Sequence, residues 1–184
     1  MAQQAAAKLA AYNKATAVTF WHEPDGDMTP AQYIAASQRL LPIFKRTKVR
    51  VGPILNWWLL NKHPDIFATL CPEELFAIWD WFGIDTYETG TIARPGPVKP
   101  AERIQLLVDF LKARGHGTIP IGIGEYNGYS AASIAAVGEA LLSTPNVWFG
   151  CVWNVTGGTN HVLSGDRLTA FKKTLSDPRR ARTV

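Results

Sequence analysis

Runs of consecutive apolar, β-branched and aromatic residues alternate with stretches whose apolar positions return every three or four residues, and the alternation repeats along the chain. Ala2 to Asn13 has the composition of a helix, and Ala17 to Trp21 that of a buried strand. Thr29, Pro30, Ala31 and Gln32 follow, giving a hydroxyl N-cap, a proline at the first helical position and a glutamine at the third. A helix is expected from there to about Leu41. Val49 to Leu55 is the next strand, and Pro72, Glu73 and Glu74 open a short helix whose early carboxylates suit its positive end. Phe82 to Tyr87 is a strand again. Ala101 to Arg114 places Ile104, Leu107, Val108 and Leu111 on one face and stops at Gly115. Ile119 to Gly124 reads as a strand, Ser130 to Leu142 as a helix, Val147 to Trp153 as a strand and Arg167 to Leu175 as the closing helix.

Strands that are nearly continuously apolar, separated by helices and without hairpin signals, mark a parallel sheet covered by helices, so the predicted class is α/β. Strand starts near residues 17, 49, 82, 119 and 147 recur about every 30 residues, a period that fits an open doubly wound sheet or a (β/α)8 barrel. Eight such units need about 250 residues. At 184 residues, length alone favours the open five-stranded sheet.

With 47% hydrophobic and 18% charged residues the chain can bury a core, and one compact domain is expected. No apolar run reaches the roughly 18–20 residues of a membrane span, so no membrane partner is expected. Met1 to Ala17 lacks the basic-then-apolar order of an export signal, so the location is left open: cytoplasmic or virion-associated as written, extracellular if polypeptide upstream has been lost. Cys71 and Cys151 have neither metal-ligand spacing nor disulfide density and read as reduced core residues. Much of the net charge of +4 sits in Arg179, Arg180 and Arg182, a solvated tail. No aromatic-plus-basic stripe accompanies it, and no nucleic-acid partner is expected.

In parallel α/β folds ligands meet the carboxyl ends of the strands. Those ends read Trp21, His22, Glu23, Pro24; then Asn56, Trp57, Trp58; then Asp85, Thr86, Tyr87, Glu88; then Gly124, Glu125, Tyr126, Asn127; then Trp153, Asn154. All are polar or aromatic, and flat aromatic surfaces suit a ligand with apolar faces and polar edges, such as a sugar ring. Glu23 and Glu125 are 125 − 23 = 102 residues apart, about three βα units, and would face one another across the mouth of a closed barrel. Facing carboxyls are what glycoside hydrolysis needs: one protonates the leaving oxygen while the other attacks the anomeric carbon or activates water. Local capping or pairing at each strand end is the alternative for either Glu taken singly. For Asp25, Asp27, Asp85 and Glu88 the expected work is helix capping and loop solvation, with substrate contact as the alternative for Asp85.

These strand ends resemble the catalytic half of clan A glycoside hydrolases, most of all family 26 and its relatives among actinobacterial and phage sequences. The resemblance runs from about Ala17 to Leu175 and implies a (β/α)8 barrel with a retaining mechanism. On it Glu23 matches the acid/base that ends strand four, and Glu125 the nucleophile that ends strand seven. His22 takes the position before the acid/base, Tyr87 that of the tyrosine contacting the nucleophile, and Trp153 that of the tryptophan under the reacting sugar. Ala17 to Trp21 then corresponds to strand four, so the resemblance implies a partial barrel without strands one to three. Upstream polypeptide or another chain would supply them, or the sheet has opened into a new arrangement, since an unclosed remnant exposes strand edges.

Other chemistries fit less well. His22 has no second histidine at i+4, and His63, His116 and His161 are scattered, so no metal site is expected. Gly122 and Gly124 lack the third glycine of a dinucleotide turn and read as a close-packed strand end. Asn154 to Thr156 matches the N-glycosylation triplet by chance. The expectation is therefore a cofactor-free retaining glycoside hydrolase acting on a β-linked mannan, xylan or glucan. Glu23 and Glu125 are its catalytic pair, and His22, Trp57, Asp85, Tyr87, Tyr126 and Trp153 line its substrate site. The alternative is a non-catalytic carbohydrate-binding or structural module derived from such a barrel, as in a phage particle.

Overall fold

The computed structural model describes residues 1–12, 16–45, 49–155 and 162–181. Asn13, Thr156, His161 and Arg182, which entered the sequence reading, lie outside the described residues. The elements run α1 (Ala2–Ala11), β1 (Thr16–Val18), α2 (Pro30–Lys45), β2 (Val49–Val51), β3 (Ile54–Asn56), α3 (Trp57–Lys62), α4 (Pro64–Thr69), α5 (Glu73–Phe76), β4 (Phe82–Tyr87), α6 (Pro100–Ala113), β5 (Ile121–Asn127), α7 (Ala131–Ser143), β6 (Val147–Val152) and α8 (Gly165–Ser176), closed by a 3-10 turn at Pro178–Ala181. They form two compact units, Met1–Gly83 and Ile84–Val184, with the boundary inside β4.

In the first unit β1 and β2 run parallel, Thr16 opposite Val49 and Val18 opposite Val51. A parallel bridge between His22 and Ile54 carries the pairing onward. The one strand expected over Val49 to Leu55 is two short pieces, because Pro53 has no N–H to give the ladder and Gly52 lies beneath Trp81. A Cβ at Gly52 would come within 2.3 Å of the Trp81 carbonyl oxygen. Asp80 fixes this break: its Oδ2 accepts from the Val51 N–H at 2.9 Å, and its own N–H donates to the Val51 carbonyl at 2.7 Å.

The helix expected at Thr29 forms with reciprocal caps, the Thr29 N–H donating to Gln32 Oε1 at 2.9 Å and the Gln32 N–H to Thr29 Oγ1 at 3.3 Å. It runs past Leu41 to Lys45, with Pro42 inside its last stretch. Tyr33, Leu41, Leu55, Phe67, Leu75 and Trp81 are buried. The Phe82 ring stacks on Phe76 at 5.5 Å and meets Trp79 edge-on at 5.4 Å.

In the second unit β4, β5 and β6 lie side by side in that order, and β5 and β6 are parallel, Ile121 opposite Val147. Packing is close: a Cβ at Gly122 would meet the Phe149 ring at 2.3 Å. The helices on this sheet begin and end on local signals. Pro100 opens α6, Gly115 follows it with φ +81, and Ser130 caps α7 by accepting the Ser133 N–H at 3.0 Å. Ile104, Leu107 and Leu111 on α6 are buried together with Ile121, Ile123, Ile134 and Val137. Arg179 departs from the expected solvated tail. Its two terminal nitrogens donate to both Glu139 oxygens on α7 at 2.9 Å, because the turn after α8 brings the guanidinium back over α7. Among the described residues no helix is long and apolar enough to cross a membrane.

Candidate functional site

The chemistry of the second unit gathers at the carboxyl ends of β4, β5 and β6. The register of β5 against β6 runs Ile123 to Gly150 and then Tyr126 to Val152, so β5 advances by 126 − 123 = 3 residues while β6 advances by 152 − 150 = 2. The extra residue is a bulge at Gly124 and Glu125. A bulge interrupts the alternation of side chains and re-aims one of them, which is how a carboxylate can leave an otherwise apolar strand face. Glu125 is half-buried there. The Tyr87 hydroxyl, on β4, donates to Glu125 Oε2. An Asp85 oxygen, also on β4, lies within 4.8 Å of a Glu125 oxygen. Asp85 is 1% exposed, so two like charges are held together in a shielded place and the phenol supplies an opposing donor.

Cys151 is exposed on β6, which corrects the expectation that both cysteines are core; only Cys71 is. Cys151 comes after Gly150 on the outer strand, where β6 turns residues to the surface. Although the residue is exposed, partial shielding of its sulfur by the surrounding protein pushes its pKa up, and the charges of Asp85 and Glu125 push it further in the same direction. Tyr126 is also corrected. It is 2% exposed, and burial raises its pKa to about 12, so the ring packs as core rather than lining a surface for sugar.

A second polar layer lies below. The Glu88 side chain is shielded from solvent and accepts from Lys99 Nζ and from the Tyr129 N–H, the latter at 2.7 Å. Burial alone would raise the Glu88 pKa, but Lys99 and the Tyr129 amide outweigh it and hold it below its ordinary value. Glu88 thus ties the start of α6 to the turn before α7, and loop solvation, its expected task, is not what it does. Asn127 ends β5 and Trp153 follows β6; the Asn127 amide donates to the Trp153 carbonyl at 2.6 Å and accepts from Arg167 Nη2 at 2.6 Å. Arg167 was legible only as the start of a helix. The signal available was a cation set among Leu168 and Phe171 on a helix that must bury a face.

The first unit presents the other expected residues. Glu23 carries φ +46, the one non-glycine residue with positive φ among the described residues. Its N–H donates to the Ile54 carbonyl at 2.9 Å, fixing it against β3. A carboxylate in a left-handed conformation is a place where strain is held by surrounding structure, a feature that clusters at functional sites. His22 and Trp21 are exposed. The Trp21 indole N–H donates to Asp27 Oδ2 at 3.1 Å, which gives Asp27 its task in the turn. Trp57 is half-buried and Trp58 exposed, and both belong to the first turn of α3 rather than to a loop, because Asn56 Oδ1 accepts the Trp58 N–H at 2.8 Å and caps that helix.

No family model and no curated protein matches the chain. Among solved structures it is similar to GH26C from Muricauda sp., at 16% identity over 96% of this chain and 55% of that one, with a TM-score of 0.61. It is similar to a modular endo-β-1,4-mannanase from Cellulomonas fimi, of the family 26 mannanases, at 16% identity over 99% of this chain and 49% of that one, with a TM-score of 0.63. An endo-β-1,4-glucanase from Xanthomonas axonopodis pv. citri matches at 15% identity over 98% of this chain and 66% of that one, with a TM-score of 0.62. These are TIM-barrel glycosidases, and at such identities the likeness shows the fold: parallel α/β, corresponding to part of a barrel. The chain spans about half the length of the first and second of these neighbours.

Proposed function

We propose that the chain carries the catalytic strands of a retaining glycoside hydrolase acting on a β-linked polysaccharide of the mannan, xylan or glucan type. The Tyr87 hydroxyl on Glu125 is the observation that carries this reading. It holds a carboxylate in one orientation at the end of a strand, on a bulge that turns it away from the apolar face, as an attacking nucleophile requires. In this reading Glu125 attacks the anomeric carbon as Glu23 gives its proton to the departing glycosidic oxygen, leaving a glycosyl-enzyme. Glu23 then takes a proton from water, which displaces Glu125 and releases the sugar with its configuration retained. His22 orients Glu23, and Trp153 and Trp57 offer ring faces to the pyranose. No cofactor enters this chemistry. The neighbours from Cellulomonas and Xanthomonas, a mannanase and a glucanase, support β-1,4-linked hexose polymers as the first to try. Polypeptide beyond these residues, from the same or another chain, would complete the barrel.

The test is reducing-sugar release from mannan, xylan and mixed-linkage glucan. Glu125→Gln and Glu23→Gln are expected to lower the rate at least about a thousandfold. A 2-deoxy-2-fluoro-glycoside with a good leaving group should add its glycosyl mass to Glu125 in the wild type and not in Glu125→Gln. Equal release by wild type and both variants removes the proposal. A second reading is a non-catalytic carbohydrate-binding or structural module derived from such a barrel. It predicts saccharide binding that Glu125→Gln leaves unchanged, with no turnover.

A further inference from the structure

We infer that Asn127 and Arg167 form a buried clasp that sets the attitude of Trp153, making both of them positioning residues for a pyranose ring stacked on that indole. The saccharide part rests on the function proposed above; the clasp itself does not. Arg167 sits in the first turn of α8 and is 8% exposed, and Asn127, the last residue of β5, is 2% exposed. Asn127 Oδ1 accepts twice, from Arg167 Nη2 at 2.6 Å and from the Gly128 N–H at 2.7 Å. A guanidinium and an amide N–H can only donate, so the side-chain oxygen must face them and the NH₂ must face the other way. There it meets the Trp153 carbonyl at 2.6 Å.

The neighbouring residue of β5 completes the hold: the Trp153 N–H donates to the Tyr126 carbonyl at 2.8 Å. Both backbone polar groups of Trp153 are therefore tied to consecutive residues of β5, one step beyond the end of β6. Arg167 reaches the far side of the same connection as well, its Nη1 donating to the Val162 carbonyl at 3.1 Å, while Asn154 Oδ1 accepts the Leu163 N–H at 2.9 Å. One guanidinium thus bonds Val162 directly and Trp153 through Asn127. A pair of apolar side chains would fill this space without desolvating a cation, but could not aim a donor at a particular carbonyl.

Trp153 is 39% exposed, on a backbone held at both its N–H and its carbonyl. An aromatic face carried on a backbone so held suits sugars whose C–H groups are gathered on one face of the ring, which β-linked gluco- and mannopyranosyl units provide.

Asn127→Asp isolates the key bond. The carboxylate keeps an acceptor for Arg167 and for the Gly128 N–H but has no donor for the Trp153 carbonyl. In protein labelled with 5-fluorotryptophan, the Trp153 resonance is assigned by its loss in Trp153→Phe. Asn127→Asp is expected to shift or broaden that one signal among the seven tryptophans. It should also weaken binding of cellohexaose or β-1,4-mannohexaose about tenfold and lower the melting temperature, with the far-ultraviolet circular dichroism of the wild type retained. Arg167→Met is expected to perturb the same resonance, and Arg167→Lys to restore part of it. An unmoved Trp153 signal in both Asn127→Asp and Arg167→Met overturns the clasp. If the signal moves but wild type binds neither oligosaccharide, the clasp stands and the glycosidase reading fails.

Discussion

The Cys151 thiol is a reporter of the carboxylates beside it. The sulfur is raised in pKa first by partial shielding and then by the charges of Asp85 and Glu125, so at neutral pH it is a thiol and not the nucleophilic thiolate. Removing either negative charge lowers that pKa and increases the thiolate fraction. Asp85→Asn or Glu125→Gln is expected to speed iodoacetamide alkylation of Cys151 about threefold at pH 8, as followed by mass spectrometry of its peptide. Cys71 is buried and should not react in the folded protein. An unchanged rate in both variants would place the thiol outside the field of the pair. Glu88 provides a second residue-scale test, with the opposite sign. Its folded pKa is depressed, so its contribution to stability is full above the ordinary glutamate value of about 4.3 and disappears as pH falls through the lower folded value. Glu88→Gln should therefore melt well below wild type at pH 7, and the gap between the two should narrow toward pH 3.

At the scale of elements, helices were more legible than strands, and the reason lies in where their signals reside. A helix start is written within four residues, as at Thr29 to Gln32 or at Ser130, and the structure forms the caps those residues specify. The apolar runs gave the sites of strands but not their lengths. Thr16–Val18 is shorter than its run because strand length depends on what the neighbour pairs, and the break at Gly52 depends on a Trp81 that lies distant in sequence. The same logic hid α3: Asn56 looked like a polar strand end, but its side-chain oxygen caps a helix. Glycines also divide by cause. Gly115 has φ +81 with open space around its missing Cβ, whereas Gly122 lies against the Phe149 ring. Gly115→Ala is expected to cost about 1–2 kcal/mol from backbone conformation alone. Gly122→Ala should cost about 1–3 kcal/mol by overpacking. Phe149→Leu should recover much of the loss at Gly122 and none at Gly115, as measured by urea denaturation of the single and double variants.

At the scale of the whole molecule, the sequence joined two glutamates 102 residues apart, by 125 − 23, into one chemical proposal, while each stands in its own compact unit. What the structure adds is a separate reason to look at each: a left-handed backbone at Glu23, and a bulge with a phenol donor at Glu125. The polar layer of Asn127, Arg167, Glu88 and Lys99 was not legible, because its members come from separate elements and carry no shared spacing. Kinetics can ask whether the two glutamates serve one reaction. Groups that act in the same step are strongly non-additive, since once one is lost the other has no transition state left to stabilise. The Glu23→Gln, Glu125→Gln double variant should therefore hydrolyse polysaccharide no more slowly than Glu125→Gln alone. Independent roles would multiply instead, and two thousandfold losses would reach about a millionfold. A further split separates the two roles. With an aryl glycoside whose leaving group needs no protonation, Glu23→Gln should still form the glycosyl-enzyme in a rapid burst and then stall, because water lacks its base, whereas Glu125→Gln should show no burst at all. A burst in both variants, or in neither, would mean that the two carboxylates do not divide the reaction as acid/base and nucleophile.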